Sequence, residues 1–205
     1  MGVMVGHPNT YFGQWIPHRS DLLIGLESEA EQQDIPIVGP VVGKLLYLLA
    51  KIKGARRIVE LGTATGYSAI FMGNACRSNH GHLTTFEAEP EMAARAVRNI
   101  EKAGLAQCVS VHCQDALKGL RALEQPADMV FMDIEKEDYS RALSLCKEKL
   151  RKNGLLIADN TGFEDAHPFN QTIFEDSDWE SVNLWTFLPG HSPENDGLCF
   201  ALKRS

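Results

Sequence analysis

The apolar runs IVELG, LTTFE, VSVHC, DMVFMD and GLLIAD end on or beside acids and amides: Glu60, Glu87, Gln114 with Asp115, Asp133, and Asp159 with Asn160. Asp133, Asp159 and Asn160 together make an all-oxygen donor set of two carboxylates and one amide. Such a set suits a hard cation such as Mg²⁺, which keeps several positions for water or substrate. Histidine and cysteine are absent from it, which argues against zinc. Lys136 stands shortly after Asp133, and a lysine beside a cation can have its pKa lowered enough to act as a general base. Singly, Asp159 and Asn160 read as a turn cap and Lys136 as a surface lysine. Their occurrence together, in this order, favours a site.

The segment VELGTATGYSA suggests a second kind of chemistry. Glu60, Gly62 and Gly66 form an E-x-G-x-x-x-G pattern where a strand would turn into a helix, and glycines there let backbone approach a ligand closely. A dinucleotide loop would read G-x-G-x-x-G and seat a pyrophosphate on the helix N-terminus. Ala64 takes the middle glycine's place, which disfavours a pyrophosphate and with it a nicotinamide oxidoreductase. An acid ahead of the turn suits the cationic end of a bound amino acid instead. Glu87 ends the following strand about twenty residues beyond Gly66, where a carboxylate can accept both ribose hydroxyls of a nucleoside. Gln114 and Asp115 close the next strand, where an adenine edge would lie. The plain alternative is a glycine turn that serves strand–helix packing only.

These residues form one site only if the elements bring the strand ends together. Helical patterns at YSAIFMGNA, PEMAARAVRNIEKAG, ALKGLRAL and DYSRALSLCKEKLRKNG alternate with the five strand-like runs. That alternation predicts right-handed crossovers and a doubly wound, mostly parallel α/β sheet. Ligands of such a sheet bind at the carboxyl ends of its strands. WESVNLWTFL and GLCFALK are expected to add an antiparallel hairpin at the sheet edge, for seven strands in all. Ahead of the sheet, Ser20 is a candidate N-cap for the helix DLLIGLESEAEQQ, a turn is read around Pro36 and Gly39-Pro40, and the Leu45–Leu49 helix stops at Gly54. A single domain is expected, with residues 1–54 as a helical cap and 55–205 as the core.

A chain of 205 residues with 44% hydrophobic and 23% charged residues has the make-up of one globular domain. No apolar run approaches the roughly 20 residues that span a bilayer, and MGVMVGHPNTYFGQW has no secretory pattern. Five scattered cysteines without a CxxC pair read as reduced thiols of a cytoplasmic protein. A net charge of −7 argues against a broad nucleic-acid surface. Lys44, Lys51, Lys53, Arg56 and Arg57 leave room for a local basic groove.

On IPIVGP, VELGTATGYSA, FEAEPEMAARAVRNIEKAGL, VFMDIEKEDY, GLLIADN and DGLCFALK the chain resembles the cation-dependent O-methyltransferases. That family includes catechol and caffeoyl-CoA O-methyltransferases and small bacterial relatives. The resemblance implies a class I, Rossmann-like methyltransferase fold, S-adenosylmethionine as co-substrate and Mg²⁺ or a similar cation. It places metal ligands at Asp133, Asp159 and Asn160, and the catalytic lysine at Lys136 beside Asp133. Cofactor contacts are expected at Val38, Glu60, Gly62, Ser68, Glu87, Asp115 and Asp133, with Thr63, Gly66, Ala88, Ala116 and Glu135 around them. The implied reaction is methyl transfer to a hydroxyl of a small catechol-like or other vicinal-oxygen acceptor, by a cytoplasmic homodimer. Modification of a hydroxylated uridine in transfer RNA is the alternative within the family, and the acidic balance weighs against it. A non-catalytic adenosylmethionine-binding module is the other alternative, and it would need neither the metal set nor Lys136.

Two segments depart from the family pattern. Asp133-Ile134-Glu135-Lys136 stands where D-A-D-K is common, and TGFEDAHPFNQ lacks the usual tryptophan–glycine loop. The substrate wall is therefore open, with Phe163, His167 and Trp185 as its expected residues. Tyr11, Phe12, Trp15, Phe169, Phe187 and His191 could line it too, but most aromatics near chain ends are core or dimer contacts, and that reading is the stronger one for them.

Overall fold

The computed structural model describes residues 2–205. Its strands are β1 (Arg57–Leu61), β2 (His82–Glu87), β3 (Val109–Cys113), β4 (Ala127–Met132), β5 (Leu150–Ala158), β6 (Trp179–Phe187) and β7 (Asn195–Lys203). They form a seven-stranded sheet in the order β3-β2-β1-β4-β5-β7-β6. β1 to β5 run parallel, whereas β7 is antiparallel to β5 and β6 to β7. The doubly wound sheet with a closing antiparallel pair is thus the one expected from the alternating pattern.

The helices are α1 (Pro8–Gly13), α2 (Asp21–Gln32), α3 (Gly39–Lys53), α4 (Tyr67–Asn79), α5 (Pro90–Lys102), α6 (Ala116–Ala122), α7 (Tyr139–Lys149) and α8 (His167–Glu175). Ser20 caps α2 by accepting from the Leu23 backbone N–H, and Gly54 ends α3 in the left-handed conformation. Gly39 and Pro40 belong to the first turn of α3 rather than to a turn ahead of it, a position where proline's missing N–H costs nothing. The DYSRALSLCKEKLRKNG pattern divides. α7 stops at Lys149, Leu150 pairs with Ala127, and β5 rejoins its ladder at Leu155 after an irregularity. Leu150 itself is extended (φ −82°, ψ 140°), which ends the helix, and Asn153 follows in the left-handed region at φ +59°.

Strand alternation sends successive side chains to opposite layers. From β4, Met129 and Phe131 join the core under α3 and α4, together with Leu23 and Leu26 of α2. Val130 and Met132 join the core under α6, α7 and α8. By the same alternation Glu60 lies between Ile58 and the turn, and its carboxylate reaches Ser68 on α4.

Candidate active site

The turn from β1 into α4 is shaped by backbone that only certain residues tolerate. Gly62 has φ +89°, and a Cβ there would collide with the Asp133 carbonyl oxygen. Gly66 has φ +87° at the N-cap of α4. Ala64, at the place of the missing middle glycine, also adopts positive φ, +45°, at some steric cost. Glu87 holds this turn: its Oε2 accepts from the backbone N–H groups of Thr63 (3.3 Å) and Ala64 (2.8 Å), and its Oε1 from that of Glu89 (2.9 Å).

Glu60 is fully buried and accepts hydrogen bonds from Ser68 Oγ (2.5 Å) and Thr85 Oγ1 (2.6 Å). Thr63 and Thr85 join hydroxyls beside it. Burial pushes the Glu60 carboxyl up to about 8, against the two hydroxyl donors that favour its charged form. A folded value above the unfolded one makes the folded state the tighter proton binder. Its contribution to stability is therefore complete below the unfolded value of 4.5 and lost as pH rises through about 8. Glu60→Gln keeps the shape without that titration. Urea melts of ligand-free protein are expected to show the variant gaining on wild type between pH 5 and pH 8, by on the order of 2–4 kcal/mol. A stability difference independent of pH would contradict the assignment.

The adjacency of β1, β4 and β5 sets the second half of the site. Asp133 follows β4, with its N–H on the Leu61 carbonyl at 2.9 Å, and Asp159 follows β5, with its N–H on the Met132 carbonyl at 3.0 Å. The Tyr139 hydroxyl donates to the Asp159 carbonyl at 2.9 Å and buttresses this edge. Asp159 and Asn160 are buried. Burial and the neighbouring Asp159 charge push the Asp133 carboxyl up, while Lys136 opposes them. Lys136 Nζ donates to Asp133 Oδ1 (3.4 Å) and the Ile134 carbonyl (3.1 Å), and lies 5.6 Å from the Tyr139 ring centre.

Two side chains that the strand-end pattern does not contain complete this edge, His191 from the loop before β7 and Asp196 from the start of β7. His191 Nε2 stands 3.0 and 2.9 Å from the two carboxylate oxygens of Asp159. Its Nδ1 lies 2.6 Å from the Pro193 carbonyl. Burial would lower the imidazole pKa, but the bond to Asp159 and that carboxylate's charge outweigh it and the net shift is upward. Asp196 Oδ2 accepts from Asn160 Nδ2 at 2.6 Å, and its Oδ1 accepts from the N–H groups of Gly197 (2.6 Å) and Gly162 (3.2 Å).

A cavity of about 380 Å³ joins the two halves, lined by Gly62, Glu87, Ala88, Asp115, Ala116, Asp133, Glu135, Lys136, Asp159, Asn160 and His191 among others. Val38, Thr63 and Ser68 line a smaller recess of about 90 Å³ that shares Gly62, Glu87 and Asp133 with it. Glu60 and Gly66 line neither cavity and act on the turn from behind. A further cavity of about 660 Å³, between α2 and the 190–194 loop, shares Pro36, Ile37, His191 and Ser192 with the first.

The acceptor-wall expectation needs correction. Phe163, His167 and Trp185 line none of these three cavities. Phe163 and Trp185 are exposed, and the Trp185 ring lies over Gly162 on the outermost strand pair. Phe169 is core, as read. His191, one of the weaker pocket candidates, faces the cavity.

Residues 20–172 match the profile of the O-methyltransferase family, most of the chain. The chain belongs to that family. This O-methyltransferase is 35% identical over 156 residues to a protein of Niastella koreensis named catechol O-methyltransferase, across 73% of this chain and 70% of that one. A Mycobacterium tuberculosis protein of the same name is 34% identical, across 58% of this chain and 54% of its own length. Among solved structures, the O-methyltransferase TomG of Streptomyces achromogenes, in complex with SAM, superposes with a TM-score of 0.86 at 28% identity, covering 97% of this chain and 96% of that one. An O-methyltransferase of Bacillus cereus in complex with SAH gives 0.85 at 26% identity, covering 96% and 97%. The family profile ends at Thr172, so His191 and Asp196 of this methyltransferase lie beyond the matched segment.

Proposed function

We propose that this methyltransferase uses S-adenosylmethionine and a divalent cation to methylate a hydroxyl of a small acceptor that carries a second oxygen beside it. The observation that carries the reading is the pair Asp133 and Asp159, joined by Asn160, on the same cavity as Glu87 and the Gly62 turn. Relatives solved with SAM and SAH, and relatives named for catechol, support it.

The residues fit a cation by their chemistry. The charge of Asp159 helps to raise Asp133, a repulsion that a bound cation would relieve. Asn160 gives its Nδ2 to Asp196, which leaves its carbonyl oxygen as the free donor. Among the described residues no three side chains drawn from His, Cys, Asp and Glu form a group that could hold a metal. The candidate set has only two of those, and its third member is an amide.

When bound, S-adenosylmethionine supplies an electrophilic methyl and the cation a Lewis acid that lowers the pKa of the acceptor hydroxyl. The turn at Gly62 and Glu87 holds the amino-acid and ribose ends of the co-substrate, and Asp115 and Ala116 border its base. Asp133, Asp159 and Asn160 would hold the cation. Lys136, once it has lost its own proton beside the bound cation, would take the proton of the acceptor hydroxyl through Nζ. Fixing nucleophile and methyl in near-attack geometry is the protein's largest contribution.

A small acceptor is favoured over RNA by the placement of the basic stretch. Arg56 and Arg57 lie at the start of β1, the opposite end of the strand from the site, where the Arg57 side chain is spent on Pro126 and Gln125. A homodimer is part of the reading, supported by the exposed Val182, Leu184 and Trp185 on edge strand β6. Five free cysteines suit the reducing cytoplasm. Among the described residues no helix is long and apolar enough to cross a membrane.

Thermal melting tests the co-substrate assignment. S-adenosylhomocysteine at about 100 times its Kd is expected to raise Tm by roughly 5–10 °C, and NAD to leave it unchanged. A shift with NAD and none with S-adenosylhomocysteine would overturn the assignment.

A further inference from the structure

We propose that the cavity between α3 and α4 is a binding site for a small ligand that joins a phosphate group to an aromatic body, as a nucleoside diphosphate does. The site is separate from the one described above and does not depend on the methyl-transfer reading. Its volume is about 520 Å³, and it shares no residue with the three cavities at the strand ends.

Charge sets this cavity apart. The chain has 27 Asp and Glu against 20 Lys and Arg, yet Lys44, Arg77 and Lys102 line the cavity and no carboxylate does. Among the described residues none of the three cations forms an ion pair. Arg77 and Lys102 stand in the last turns of α4 and α5, where a cation complements the negative end of a helix. The fold thus gives a reason for those two. Lys44 has no such reason, because it lies in the second turn of α3, away from its C-terminal end. In the sequence Lys44 belongs to the basic stretch that ends at Arg57. The fold separates it from Arg56 and Arg57 and sets it on one cavity with Arg77 and Lys102. Three like charges around one space repel, and an anion among them turns the repulsion into attraction.

The helices shape the rest. A Cβ at Gly43 would overlap the Phe71 ring, so glycine is what lets α3 close onto α4 here and bring Lys44 and Tyr47 to the cavity. Leu23, Ile70 and Phe71 are buried and give the cavity an apolar floor. Ile70, Asn74 and Arg77 follow one another along a single face of α4. Asn74 Nδ2 donates to the Ile70 carbonyl at 2.8 Å, and its Oδ1 accepts from Arg77 Nη2 at 2.7 Å. The amide therefore orients the guanidinium, and the Nε and Nη1 side is left for the paired oxygens of a phosphate. Small-molecule sites combine an apolar floor with a few placed polar groups in this way. Inorganic phosphate would leave the floor uncovered, and an uncharged aromatic would leave the cations unpaired. A ligand with both parts satisfies both.

Calorimetric titration of the full-length protein with GDP tests this. The buffer contains S-adenosylhomocysteine, which fills the co-substrate cavity, and EDTA, so that no cation bridges the probe to Asp133 and Asp159. GDP is expected to bind at least roughly tenfold more tightly than guanosine or inorganic pyrophosphate. Lys44→Ala and Arg77→Ala are each expected to weaken GDP binding roughly 10–100-fold, and Arg77→Lys to recover only part of the loss. Lys44 is half-buried and Arg77 exposed, so Tm and S-adenosylhomocysteine binding are expected to stay unchanged in both variants. GDP that binds no more tightly than its two fragments, or equally well to both alanine variants, would overturn the proposal. So would GDP binding that S-adenosylhomocysteine abolishes, since the probe would then be in the co-substrate cavity. A single-stranded oligonucleotide that binds more tightly than GDP would overturn it in favour of a nucleic-acid surface.

Discussion

Methyl transfer is expected to stop when the protein is treated with EDTA and to return with added Mg²⁺ or Mn²⁺. Asp159→Ala is expected to reproduce that loss at any cation concentration, by roughly 10³-fold or more, because Lewis-acid stabilisation is worth several kcal/mol and each 1.4 kcal/mol is a factor of ten. Asp159 is the residue to change because it is buried at the end of β5 and lies between its neighbour Asn160 and His191. S-adenosylhomocysteine binding is expected to survive the substitution. The turn at Gly62 takes its support from Glu87 on β2, through bonds to Thr63 and Ala64 that Asp159 does not touch. Removing Asp159 leaves the buried His191 without its partner, so some loss of stability accompanies the variant. The chelator arm requires no substitution and separates the two effects. Full activity in EDTA would mean that the carboxylates serve the fold alone.

Lys136→Ala is expected to lower kcat roughly 10²–10⁴-fold, the usual worth of general-base catalysis, with co-substrate and acceptor binding little changed. Lys136 lies at the start of a 3₁₀ turn just past β4, on the cavity and in contact with Asp133 and the Ile134 carbonyl. It is held, not free, so its loss also removes a counter-charge from Asp133. Lys136→Arg separates these roles. Arginine keeps the charge but cannot give up its proton at any relevant pH. If proton removal is the role, arginine is expected to be about as inactive as alanine; if the charge alone matters, it restores most of the rate. An acceptor whose hydroxyl is already ionised at the assay pH is expected to suffer less from either substitution, because no proton has to be taken. Near-wild-type kcat in Lys136→Ala at neutral pH would make Lys136 a surface residue.

What the sequence determined by itself was the layering and the line of strand ends. Period-two and period-3.6 patterns are local properties of the chain, and they place Glu60, Glu87, Asp115, Asp133 and Asp159 at the same edge of any parallel sheet built from them. The Gly62 turn was legible for the same reason, because a strand that must turn sharply into a helix needs positive φ within a few residues. Where a periodic pattern ran through a break, as at Leu150–Asn153, pairing with β4 decided the outcome over helical spacing. Only the tertiary structure could bring in His191 and Asp196, which touch Asp159 and Asn160 from 32 and 36 residues away. They lie in a loop and at its junction with β7, where no periodicity marks which side chain points inward. Their positions follow from the packing of that loop against Ile37 and Gly39. The acceptor wall was misread for the same physical reason, since whether Trp185 or His191 faces the cavity depends on strand order at the sheet edge and not on residue type.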